Sequence, residues 1–182
     1  MTAVPHRAAL AANALGYQAV WFACVAGAAQ GRVWPGAAAS LVFTAATLLL
    51  GGRWRADARM IAIAVPLGLG MDSLFAMAGW LAYHPAGPLP FAAPAWIAAI
   101  WLAFAMTLNH SLAFLRRHRG AAAGLAAAAA PAAYWGASRG FGVLDFAAPA
   151  LAVTLAVGAA WALLLPAILA LETRLARPAV PA

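Results

Sequence analysis

The sequence predicts an all-α fold, a polytopic transmembrane bundle of about six helices with both termini cytoplasmic. Three observations lead there. Of 182 residues, 66% are hydrophobic and 8% charged, with a mean hydropathy of +0.88, a balance more apolar than a soluble core requires. The apolar residues fall in runs near the roughly 20 residues that cross a hydrocarbon layer about 30 Å thick. The arginines collect in alternate breaks between those runs, as flanks of membrane segments do.

Read as one domain over 1–182, the chain has crossings at 8–29, 34–50, 60–83, 94–115, 121–137 and 146–171. The breaks are "GRVWPG", "GGRWRADAR", "HPAGPLPFAAP", "RRHRG" and "SRGFGVLD". Before the first crossing, His6 and Arg7 followed by an apolar run and the small residues of "VAGAAQ" have the outline of a cleavable leader. Asn13, Tyr17, Gln18 and Trp21 interrupt that run, and it is long enough to span, so it is read as a retained helix. The second and fifth crossings are short. Pro131 and Pro166 are expected to bend the fifth and sixth. "FAAPA" occurs at 91–95 and 146–150, each time leading into a helix, which points to repeated hairpins, although Asp72 has no counterpart in the later one.

All eleven basic residues are arginine. Arg7, the 53/55/59 group, the 116/117/119 group and the Arg174/Arg177 pair fall on one side of a six-crossing chain, opposite Arg32 and Arg139, and this side is read as the cytoplasm of a bacterial inner membrane. The net charge of +7 is scattered, with no basic domain for nucleic acid. Trp34, Trp54, Tyr83, Trp96 and Trp135 lie near crossing ends and are read as interfacial anchors. Cys24 stands alone, which excludes an intramolecular disulfide, and no histidine pair has helical ligand spacing, so no metal and no cofactor is expected. Nucleotide loop, haem motif and nucleophile elbow are all missing.

The candidate site starts from Asp72 in "GLGMDSLF". With Gly68, Ala76 and Gly79 it shares a helix face narrow enough for close approach of a neighbour. Counted from residue 60 it lies roughly 18 Å along its helix, near mid-membrane, where a lipid-facing carboxylate is costly. It is read either as a proton-carrying acid or as a hydrogen-bonding strut. Thr107, His110 and Ser111 follow on one face of the fourth crossing, with His110 roughly 10 Å nearer the cytoplasm than Asp72, so a link between the two runs either directly, given helix tilt or offset, or through water or substrate. Asp72 and His110 are the candidate catalytic pair. Asn13, Tyr17, Thr107, Ser111 and Tyr134 are candidate substrate contacts, and Arg116, Arg117 and Arg119 serve topology or lipid headgroups. Asp145 and Glu172 are read as helix-end charges.

The stretches "NALGYQAVWFACV", "MDSLFAMAGW", "APAWIAAIWLAFAMTLNHSLAFL" and "PAAYWGASRGFG" resemble a family of small bacterial inner-membrane proteins catalogued as a domain of unknown function, over nearly the whole chain. Such proteins are often found among genes for fatty-acid modification, so the resemblance implies a lipid-related role. Three functions stay open: a protein that binds or modifies a membrane lipid or fatty acyl group, a small proton-coupled transporter, and a non-catalytic membrane subunit. Membrane lipids are the expected partners, with a membrane protein partner or a second copy of the chain as further options.

Overall fold

Among the described residues, alanine- and leucine-rich runs build six α-helices, three of which continue through an interior proline (Pro66, Pro131 and Pro166): α1 (His6–Ala29), α2 (Trp34–Leu50), α3 (Trp54–Met77), α4 (Ala95–Leu108), α5 (Arg119–Trp135) and α6 (Ala150–Leu175). The computed structural model describes residues 6–89 and 91–176; the two chain termini and Arg177 lie outside them. A two-stranded antiparallel ribbon joins β1 (Leu81–Tyr83) to β2 (Leu144–Phe146), with Ala82 opposite Asp145. It ties the α3–α4 connection to the α5–α6 connection. Short 3-10 and π turns fill 113–116 and 136–140.

Helices α1, α3 and α6 are long and apolar enough to cross a bilayer, which makes this a membrane protein. Helices α2, α4 and α5 are shorter, at 17, 14 and 17 residues. Helix α4 is the centre of the bundle: ten of its fourteen residues are buried, and it packs on α1, α2 and α3 while α5 and α6 pair alongside. Gly68 lets α3 and α4 meet, since a Cβ there would fall 2.1 Å from the Trp101 ring.

Several element ends differ from the sequence expectation. Helix α3 begins at Trp54, not 60, because Gly52 turns the chain at φ +66° and Asp57 sits in the first turn, where the helix dipole favours an acid. It ends at Met77, not 83: Gly79 adopts φ +68°, and Trp80 N–H reaches back to the Phe75 carbonyl, a glycine stop that frees 81–83 to form β1. Helix α4 stops at Leu108, not 115, where polar contacts take over Asn109 and the chain continues in turns. Helix α6 begins after Pro149 and runs on to Leu175. Both "FAAPA" copies end on the first residue of a helix, Ala95 of α4 and Ala150 of α6, with Pro94 and Pro149 as the N-caps, while Phe146 of the second copy is also the last residue of β2.

Trp34 and Trp54 are exposed, as interfacial rings are, but Trp96 and Tyr83 are corrected from anchors to core residues, 1% and 6% exposed. Trp135 stacks on Phe146 and donates to Thr154 Oγ1, so it braces the α5–α6 end.

Candidate functional site

Two buried polar centres occupy opposite ends of the bundle. At the ribbon end lies Asp72. Measured from the true start of α3, it is about 27 Å along the helix and about 8 Å from its far end. Its side chain is buried and accepts three hydrogen bonds: Tyr83 Oη donates to Oδ1 at 2.7 Å, Trp101 Nε1 donates to Oδ2 at 2.7 Å, and Tyr134 Oη also donates to Oδ1. These donors come from β1, α4 and α5, so four elements converge on one carboxylate. All three are aromatic.

Asp72 borders a cavity of about 570 Å³, within the roughly 300–1,000 Å³ of small-molecule sites. Its wall is apolar and rich in rings: Trp101 and Trp161 stack at 4.7 Å and 13°, with Phe104 edge-on to both. Asp72 is the sole charged side chain among its lining residues. Exposed residues Ala14 and Gln18 of α1 and Leu125 and Ala129 of α5 also line it, so it opens sideways between these two helices. Toward the ribbon end the gap narrows where Trp21 meets Phe141 edge to face at 6.0 Å.

Of the sequence-derived candidates, Asp72, Tyr17, Thr107, Ser111 and Tyr134 border this one cavity. Thr107 turns its hydroxyl to the Phe104 carbonyl at 2.7 Å, inside its own helix. Ser111 Oγ donates to Asn13 Oδ1 at 2.7 Å, and Asn13 Nδ2 reaches the Met106 carbonyl at 3.4 Å, so this pair fastens α1 to the end of α4. His110 is absent from the lining. The pairing of His110 with Asp72 is corrected: its ring Nε2 is 3.1 Å from Asp57 Oδ2, at the opposite end of α3.

Asp57 belongs to the second centre, which the sequence reading missed. It is fully buried, and Asn109 Nδ2 donates to it at 2.7 Å. Arg116 donates to both Asn109 Oδ1 and Glu172, while Arg59 reaches Glu172 at 3.5 Å and Arg53 donates to the Asn109 carbonyl at 3.0 Å. Glu172 is 1% exposed, no mere helix-end charge. Arg116 is therefore committed inward, and of the three arginines expected at lipid headgroups, Arg117 and Arg119 are the exposed ones. The available signal was spacing: Asp57 lies one helical turn from Met60 once the helix is started at Trp54. Asp145, by contrast, is exposed and pairs with His84 across the ribbon at 2.9 Å. Among the described residues no group of three His, Cys, Asp or Glu side chains is placed to hold a metal ion.

A family model described as a protein of unknown function, DUF2878, matches residues 10–167, most of the chain. The chain belongs to the DUF2878 family. That match spans α1 to α5 and most of α6, so both polar centres except Glu172 lie within the DUF2878 region. No curated protein and no solved structure matches the chain.

Proposed function

We propose that this DUF2878 protein is a multi-pass protein of the bacterial inner membrane that takes a membrane lipid or acyl-bearing molecule into the cavity beside Asp72. The observation that carries this reading is the sideways opening between α1 and α5. Gln18 is about 18 Å along α1 and Ala129 about 15 Å along α5, so the opening lies at the level of the bilayer interior, not at an aqueous end. A ligand entering there arrives from the lipid phase. The aromatic wall suits an apolar body, and Asp72 with its three donors is the polar group that fixes orientation. The arginine-rich end, carrying Arg53, Arg55, Arg59, Arg117 and Arg119, is assigned to the cytoplasm.

The test is the lipid content of the purified protein. Mild detergent extraction followed by mass spectrometry is expected to recover a lipid species from wild type and much less of it from Ala129→Trp, which fills the opening. Equal recovery from both, or no lipid species enriched over the bulk membrane, would sink the reading. Cellular lipid profiles of a deletion strain complemented with wild type or Asp72→Asn then separate binding from modification. A product that disappears with the deletion and returns only with wild type assigns Asp72 to a reaction.

A further inference from the structure

The cavity carries more information than its greasiness. The carboxylate on its wall has no ion-pair partner among the described residues, whereas each of the other three acids does: Asp57 faces His110, Asp145 faces His84, and Glu172 faces Arg59 and Arg116. Among the described residues no arginine or histidine lines the cavity. A carboxylate offers about four acceptor positions and three are filled, two on Oδ1 and one on Oδ2, which leaves a place on Oδ2. All of its donors are aromatic, and Trp96 borders the same space, so a group seated against Oδ2 has aromatic side chains as its neighbours. A carboxylate without a counter-charge, set among electron-rich rings, is the environment that recognises an ammonium group.

We propose that the ligand is an amphiphile whose polar group is a positively charged nitrogen, seated against Asp72, with its apolar body along Trp101, Phe104 and Trp161. This rests on the reading of the cavity as a site for membrane-derived molecules and names the charge that the molecule carries. A free fatty acid is disfavoured by the same chemistry, since its carboxylate would lie beside Asp72 with no cation between them and could be seated there only with one of the two groups protonated. A long-chain alcohol can fill the acceptor position but leaves the charge unpaired.

Three probes of equal chain length separate these cases: hexadecylamine, hexadecanol and hexadecanoate, each titrated into the protein in nanodiscs of zwitterionic lipid and read by the fluorescence of the cavity tryptophans. The amine is expected to bind roughly tenfold or more tightly than the alcohol, and the fatty acid least. In Asp72→Asn the advantage of the amine over the alcohol is expected to vanish while both still bind. The wild-type order alone decides the matter if that variant does not fold. Hexadecanoate binding as tightly as the amine overturns the assignment of charge and leaves the lipid cavity standing. If none of the three changes the fluorescence, and Ala129→Trp also leaves co-purified lipid unchanged, both readings fall.

Discussion

Asp72 and Gly68 act as a unit, one turn apart on α3. Gly68 brings the Trp101 ring against the helix backbone, and the indole N–H then reaches Asp72. A methyl group at position 68 has no room, so Gly68→Ala is expected to cost about 1–3 kcal/mol of stability and to pull Trp101 off the carboxylate. Thermal unfolding in detergent, together with a shift in tryptophan emission, checks it; an unchanged melting temperature would mean that α3 and α4 separate freely. Tyr134→Phe removes one donor and leaves the ring, with an expected loss of about 1–2 kcal/mol by the same unfolding assay. A loss no larger than that of an exposed control such as Leu155→Ala would show that Tyr134 does not hold Asp72.

The elements at the arginine end are held by one relay, from His110 and Asp57 through Asn109 and Arg116 to Glu172. It joins α3, the end of α4 and α6. Removing Arg116 leaves Glu172 buried with only the longer Arg59 contact, so Arg116→Ala is expected to destabilise by about 3 kcal/mol. Arg116→Lys restores little, because a lysine cannot reach two acceptors with a planar fork. Full rescue by lysine in a denaturation series would reduce the relay to simple charge pairing. This centre was poorly legible in sequence because its members are far apart in the chain and each has an ordinary explanation: an arginine as a topology signal, a glutamate as a helix-end charge. Asp72 was legible because no such explanation exists for an acid inside an apolar run. The helix count was readable from apolar runs, whereas the ends of α3 and α4 were not. They depend on a left-handed glycine and on tertiary contacts to Asn109, which hydropathy does not record.

For the whole molecule, the arginine asymmetry makes a topological prediction. Cys24 is buried, so a membrane-impermeant thiol reagent sees little background. In that setting Arg117→Cys is expected to react only from the cytoplasmic side and Asp145→Cys only from the opposite side. Labelling of both from the same side would overturn the threading. The ribbon has a part in this arrangement, since β1 and β2 join two connections that otherwise belong to separate helical pairs, and Tyr83 carries that link down to Asp72.

If the ligand enters as proposed, the slit between α1 and α5 sets the units in which its affinity is expressed. A molecule that enters from the side never passes through water on its way to Asp72, so occupancy follows its mole fraction in the bilayer and not its aqueous concentration. Adding empty bilayer at constant protein and constant ligand then dilutes the site in two dimensions. The same protein will give different apparent constants at different lipid-to-protein ratios, while the constant per unit of membrane area stays the same.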